Sequence, residues 1–421
     1  MPIDLNSLKP DAVCDGGDLE VATGLLMILR GAMDRVPPGG VLEVTSRESG
    51  VAADLPSWCR MTGHGFLGSI AGDSCTRYFV RRLDKAVRAA ADWGVRVPLR
   101  RGHELDTADW FVGRGAEVPE HAAQETGFAP RGSVVEAGAP AFAFQITDRD
   151  KVWAANIAEL YEQATANQWD ASRDVPWHEL PPLPDDLERA VCQIMTFLVE
   201  NEYSALYVPA KFMPRIHPAF AEVVMFLATQ TVDEARHIEA FTKRALANGG
   251  GLQYSAASTQ LSLKTLFDQE DFSSASFLLS VLGEGTFIDL LSFIETFAPD
   301  PATAYICRRA RQDETRHVHF GMAHTKYHLT QDPANARPLI EAVRQRAAFM
   351  DAVTGVNPFV QEALAVLAAG GASPDKLPRG IEEGKKLYAA MHENRVKRLL
   401  QAGFSEAQAQ EISELHTPNF M

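Results

Sequence analysis

From residue 151 onward, apolar residues recur every three or four positions, and Gly and Pro gather at junctions such as "NGGG" (248–251) and "APDPA" (298–302). That period predicts helices near 151–167, 185–210, 218–248, 271–297, 302–330, 335–352, 357–369, 379–402 and 405–414. The stretch before it has a different rhythm. "VATGLLMILRGAMDRV" is helical in period, "PPGG" is a turn, "VLEVTS" alternates as a strand does, "DLPSWCRMTGHGFLGSI" returns to a helical period, and "TRYFVRR" reads as a strand. Between the two, residues 89–150 break into Gly, Pro and charged positions and read as a linker. The predicted organisation is multidomain: a small α+β domain over 1–88, a linker over 89–150, an all-α four-helix bundle over 151–335 and a C-terminal helical extension over 336–421.

A length of 421 residues with 46% hydrophobic content can bury two or three separate cores. The 55 acidic against 40 basic residues give a net charge of −15 without a Lys/Arg patch, which argues against a nucleic-acid partner. Five scattered cysteines (Cys14, Cys59, Cys75, Cys192, Cys307), never spaced as CxxC, indicate neither a disulfide framework nor a zinc site. The N-terminus lacks a basic segment followed by an apolar one. The longest apolar runs, "VVMFLA" and "FLLSVL", fall short of the roughly 20 residues that span a bilayer. The expectation is a soluble, cytoplasmic protein without a membrane partner.

Two copies of Glu-x-x-His stand out, Glu234/His237 in "TVDEARHIEAF" and Glu314/His317 in "RQDETRHVHFG". A single copy is weak evidence, but both extend to DExRH and both lie in long helical segments. On a helix, residues i and i+3 share a face, so each motif aims one carboxylate and one imidazole at the same point. A dinuclear bundle site needs two such helices and two more that each give one inward Glu. Glu284 shares its face with Phe277, Ser280, Val281, Phe287, Ile288 and Leu291, where a charge is costly unless it meets a cation. In the first helix Glu202 lies with Met195, Leu198, Val199, Ala205 and Leu206. Glu200 lies with Gln193, Thr196, Tyr203 and Ser204, so Glu202 is the expected ligand.

The resulting order is Glu202, Glu234/His237, Glu284, Glu314/His317, which is two helix pairs of similar internal spacing joined by a longer crossover. Four carboxylates balance the charge of two divalent ions, and oxygen and nitrogen donors suit iron or manganese. Asp233 and Asp313 are expected to accept hydrogen bonds from the ligand histidines, with Arg236 and Arg316 balancing them.

"NEYSAL", "DEARH", "GEGTF" and "DETRH" resemble the ligand helices of the ferritin-like non-haem di-iron oxidases and oxygenases, and "QWDASRDVPWHEL" (168–180) is similar to the Trp-rich lead-in of several of them. The resemblance covers residues 151–330. It implies a pair of iron ions, or of manganese and iron, held by Glu202, Glu234, His237, Glu284, Glu314 and His317. It further implies O2 as co-substrate and a small organic substrate in an apolar pocket, for which Leu206, Phe226, Phe241, Val281, Phe287 and Ile288 are the candidate walls. An electron donor such as a ferredoxin or reductase, and a homodimer, complete what it implies. Two departures narrow it: Phe241 stands where radical-generating reductase subunits place a tyrosine, and Ile288 where multicomponent hydroxylases place a threonine.

The N-terminal domain resembles TusA-type sulfur carriers over about 75 residues, through "PPGGVLEV" and "DLPSWCRMTGHGFLG". Those carriers place a reactive cysteine at the start of the first helix, where the helix N-terminus favours the thiolate. That place falls near Val21 and Ala22, neither of which can carry sulfur, while Cys14 lies too early and Cys59 falls on the second helix. The leading expectation is a di-iron oxygenase or oxidase with a degenerate sulfur-carrier-like domain. The rivals are a sulfur-metabolism protein coupling that domain to the metal site, and a non-catalytic metal-binding or O2-scavenging protein.

Overall fold

A computed structural model describes residues 4–82, 117–133, 135, 138–351 and 357–416. Its contacts divide the chain into two compact units. The first contains the N-terminal α+β domain and residues 123–143, and the second contains 117–122 and everything from Phe144 on.

In the first unit, strand β1 (Ala12–Asp15) leads through a π-helical turn (Val21–Leu25) into α1 (Leu26–Met33) and then β2 (Val41–Ser46), which pairs with β1 in parallel. Helix α2 (Val51–Thr62), β3 (Gly65–Ala71) and β4 (Thr76–Arg81) follow, and the sheet order is β1-β2-β4-β3 with the last two pairings antiparallel. Leu25, Leu29 and Met33 from the first helical segment and Leu55, Trp58 and Cys59 from the second share a core with Leu42, Val44, Tyr78 and Val80 of the sheet. Residues 65–71, expected to continue the second helix, are a strand instead. Gly63 adopts a left-handed φ of 76° that ends α2, a conformation a side chain would resist.

In the second unit, α3 (Ile157–Ala166) precedes α4 (Asp185–Phe212) and α5 (Ala221–Ala247), which pack together across a short connection. A crossover containing α6 (Ala257–Phe267), a helix too polar for its period to be evident, leads to α7 (Phe272–Phe297) and α8 (Pro301–Gln331). The last layer is α9 (Ala336–Asp351), α10 (Pro358–Ala369), α11 (Leu377–Gln401) and α12 (Glu406–His416). Helix starts follow the capping rules: Asp271 accepts from Ser274 N, Asn357 from Phe359 N, and Asp300 from Thr303 N just before Pro301. The fold is therefore a small α+β domain followed by an all-α body with four long helices, α4, α5, α7 and α8, and further helices after them.

Three features fix that bundle. Arg244, wholly buried on α5, donates to Glu188 of α4 and to Asp300 and Thr303 at the start of α8, tying three helices together. Residues Phe277–Glu284 of α7 are wound as a π-helix, which widens the turn that ends at Glu284. Opposite that turn α8 carries Gly321, where a Cβ would come within 2.6 Å of Ser280 Cβ, so the close helix approach requires glycine. Helix α7 is long and apolar enough to cross a membrane by length and composition, but 83% of its most apolar window is buried in the body, as befits the central helix of a core.

Candidate metal centre

Helices α4, α5, α7 and α8 bring Glu202, Glu234, His237, Glu284, Glu314 and His317 together in the bundle interior, none more than 1% exposed. They form two overlapping groups. Glu202, Glu234, His237 and Glu314 place one donor atom each within 4.8 Å of one another, and so do Glu234, Glu284, Glu314 and His317. Glu234 and Glu314 thus belong to both groups, while each group has its own terminal Glu and its own His. His237 Nδ1 lies 3.6 Å from Glu202, 3.3 Å from Glu234 and 3.5 Å from Glu314. His317 Nδ1 lies 3.0 Å from Glu234, 3.3 Å from Glu314 and 3.9 Å from Glu284. Glu200, the competing residue on α4, turns to another face, where Ser255 and Gln260 donate to it.

The far nitrogens are fixed crosswise. His237 Nε2 is 3.1 Å from Asp313 of α8, and His317 Nε2 is 3.4 Å from Asp233 of α5. Each Asp therefore accepts from the imidazole of the opposite helix, which places the proton on Nε2 and leaves the Nδ1 lone pair for the interior. Arg316 donates to both aspartates, as does Arg236, so two guanidiniums and two carboxylates cover the imidazoles as one network. Trp169 Nε1 donates to Asp313 at 2.7 Å and Gln168 Nε2 to Asp233 at 3.4 Å, a difference between the two halves.

One ligand contact escaped sequence reasoning. Gln230, buried one turn before Glu234 on the same face, donates through Nε2 to Glu284 Oε1 at 2.8 Å. A buried amide on an apolar stripe, four residues ahead of a ligand, was the available signal.

The electrostatics follow from crowding. Burial, and then the neighbouring carboxylate of Glu234 or Glu314, push the Glu202 and Glu284 carboxyls well above the usual carboxylate range. Burial acts the same way on Glu234, but His317 and His237 outweigh it and hold that carboxyl low. Burial would lower both imidazoles, yet Glu202 and Asp313 raise His237, and Glu234 and Asp233 raise His317, well above an ordinary histidine. The interior thus has a strong negative field that favours any cation. One oxygen of each ligand carboxylate (Glu202 Oε1, Glu234 Oε1, Glu284 Oε2, Glu314 Oε1) is buried without a hydrogen-bond donor, a costly arrangement unless a cation takes the lone pairs. Four such oxygens and two Nδ1 atoms fit a pair of divalent, oxygen- and nitrogen-loving metal ions.

Of the expected pocket residues, Phe241 packs against this centre, and Phe226, Val281 and Phe287 belong to the core of the same body. Phe241 is 6.2 Å from the His237 ring, Phe226 stacks on Phe320 at 4.6 Å, and Phe287 packs on Phe197 at 6.2 Å. Val281 is buried in the π-helical turn, and Leu206 and Ile288 are half-buried. A small apolar chamber on the Glu284 side is walled by other residues: Val208, Phe212, Leu227, Phe272, Leu279 and Phe320, with Gln230 and Ser280 as its polar points.

In the N-terminal domain, Val21 begins the first helical turn and is buried. Cys14 and Cys59 are buried too. Burial raises the Cys14 thiol and pushes Cys59 up to about 12, which suppresses the thiolate.

No protein-family model matches the chain. The sulfur carrier protein TusA of Pseudomonas syringae pv. tomato is 30% identical over 78 residues, 18% of this chain and 92% of that protein, in the N-terminal region. Through this domain the chain belongs to the TusA sulfur-carrier family. In this TusA-family domain Val21 begins the first helical segment, at the place where the sequence resemblance expects a cysteine. Among solved structures, the chain is similar to an R2-like ligand-binding oxidase with an aerobically reconstituted Mn/Fe cofactor (18% identity, 60% of this chain and 98% of that one, TM-score 0.46). It is also similar to the R2-like ligand-binding oxidase of Sulfolobus acidocaldarius (16% identity, 60% and 93%, TM-score 0.42). A metal-free R2-like ligand-binding oxidase is similar as well (17% identity, 59% and 97%, TM-score 0.43).

Proposed function

We propose that the helical body is a dinuclear oxidase or oxygenase that uses O2 to oxidise a small apolar organic substrate. The observation that carries this reading is the pair of overlapping four-ligand groups sharing Glu234 and Glu314. Glu202 and His237 would complete one metal position, and Glu284 and His317 the other. Held by these residues, two iron ions, or manganese and iron, would supply the electrons that reduce O2, and an external donor such as a ferredoxin or reductase would restore them.

The chain's own residues set the conditions for that chemistry. Asp233 and Asp313 hold the imidazoles in the ligating tautomer, and Arg236 and Arg316 keep those aspartates ionised. Gln230 orients the Glu284 carboxylate toward its second oxygen's open side. Phe212, Leu227, Leu279 and Phe320 line the apolar chamber beside it, whose free volume of about 10 Å³ admits a molecule no larger than water or O2, so an organic substrate enters only when these side chains move.

The test is anaerobic loading with Fe(II), a metal count, and rapid mixing with O2 while candidate substrates are screened. Two ions per chain, oxidised on mixing, with one substrate class consumed in step with O2, is the expected result. Fewer than two ions, or a loaded site inert to O2, would overturn it.

A further inference from the structure

Outside the layer that covers the imidazoles, α3 and α8 border a cleft of about 530 Å³, a size at which small molecules bind. Asn156, Glu159 and Gln163 wall it from the α3 side, and Arg309, Gln312 and Arg316 from α8. Asp313 and Arg316 are its most buried members, and their charges are already engaged. Arg316 donates to Asp233 and Asp313, while Asp313 also accepts from Trp169 and from His237. His319, exposed on α8, is the remaining titratable group of the lining.

Arg309 and Glu159 stand differently. Among the described residues Arg309 makes no ion pair: Nη1 donates to Gln312 Oε1 at 2.9 Å and Nη2 to Asn167 O at 2.8 Å, both neutral acceptors. Glu159, exposed on α3, makes no ion pair either and accepts from Gln163 Nε2 at 3.1 Å. One cation and one anion therefore share the cleft without meeting each other. The guanidinium is also held in place, by its two acceptors and by the Trp169 ring 5.9 Å away, with one N–H on each terminal nitrogen still to give. A guanidinium fixed in this way suits a carboxylate better than a flexible ammonium would. A simple anion bound to Arg309 would face Glu159, and a simple cation bound to Glu159 would face Arg309. A molecule that carries both charges meets both walls.

We propose that the cleft binds a small zwitterion, an amino acid whose carboxylate is held by Arg309 and whose ammonium group is held by Glu159. The amides of Asn156, Gln163 and Gln312 give the rest of the lining a neutral, polar character that suits such a ligand. Its occupant would sit behind Asp313, one side chain removed from the His237 imidazole.

The site can be read without any metal, so its fate is separate from that of the proposed oxidase. Metal-free full-length protein is titrated by calorimetry, at neutral pH and constant ionic strength, with glycine, β-alanine and γ-aminobutyrate, and in parallel with butyrate and butylamine. At least one amino acid should bind saturably and about tenfold or more tighter than either singly charged control. The length that binds best reports the separation of the two charges and tells an α-amino acid from a longer one. Arg309→Gln should weaken that binding about tenfold or more, and Glu159→Gln, at an exposed position, about threefold or more. Glu159→Gln should also abolish the advantage over butyrate, an effect that a merely structural glutamate would not have. Should Arg309→Gln fail to fold, Glu159→Gln decides alone. Saturable binding by none of the amino acids, butyrate or butylamine binding as tightly as the best of them, or an unchanged affinity in Glu159→Gln would overturn the proposal.

Discussion

Gln230 makes the two halves of the centre unequal. It donates to Glu284, and among the described residues no side-chain amide does the same for Glu202. Gln230→Leu removes that donor while keeping the volume, so Glu284 loses its orientation and the position it shares with His317 should bind metal ten- to a hundredfold more weakly. The other position should hold, which a Mn(II) or Fe(II) titration with metal counting would show as one tight and one weakened ion. Equal weakening of both ions would sink the idea. A second residue-scale consequence concerns His324, buried on α8 between Trp153 O and Ser273 Oγ. Burial brings its pKa from 6.5 down to about 4. The unfolded chain therefore binds the proton first, and stability contributed by neutral His324 is complete above pH 6.5 and lost as pH falls toward 4. The loss is about 3 kcal/mol across that window. Urea unfolding of wild type and His324→Gln at pH 7 and pH 4.5 should show a clearly smaller pH effect in the variant.

At the scale of elements, the bundle depends on one buried cation. Arg244 links α4, α5 and the start of α8 through Glu188, Asp300 and Thr303. Arg244→Met leaves two carboxylates facing each other in the interior and should cost about 3–5 kcal/mol, seen as a lower urea midpoint with an unchanged slope. The six clustered side chains were readable because a 3.6-residue period both defines a helix and says which Glu faces inward. It separated Glu202 from Glu200 for that reason. The same reading missed α6, whose Ser, Thr and Gln positions dilute the period, and it carried the helix past Gly63 into β3. It also had no way to show the π-helical turn over Phe277–Glu284, since an extra residue in one turn leaves the composition of the stripe unchanged. Gln230 and the crosswise Asp–His pairing depend on contacts between helices, which no single-helix pattern contains.

At the scale of the whole chain, a TusA-family domain with Val21 and Ala22 where the resemblance expects a cysteine is joined to a candidate dinuclear centre. Either the domain still handles sulfur through another thiol, or it serves by binding alone, and the thiols themselves distinguish these. Cys14 and Cys59 are buried with raised pKa, so both stay protonated near neutral pH and both are shielded. Val21 is buried as well, but it begins a helical segment, where a thiolate would meet the unsatisfied backbone N–H groups. Incubated with a small persulfide donor, the native chain should therefore gain no sulfane sulfur at Cys14 or Cys59 by mass spectrometry of peptides. Val21→Cys should gain it at the new position, at a rate at least tenfold above either native site. Persulfide on native Cys14 or Cys59 would mean that the domain retains transfer chemistry by a different route. Its absence there and at the half-buried Cys75, together with a gain in Val21→Cys, would mean that the scaffold accepts a sulfur donor and that no native thiol of the domain serves as the nucleophile, leaving the domain to act through the surface it presents.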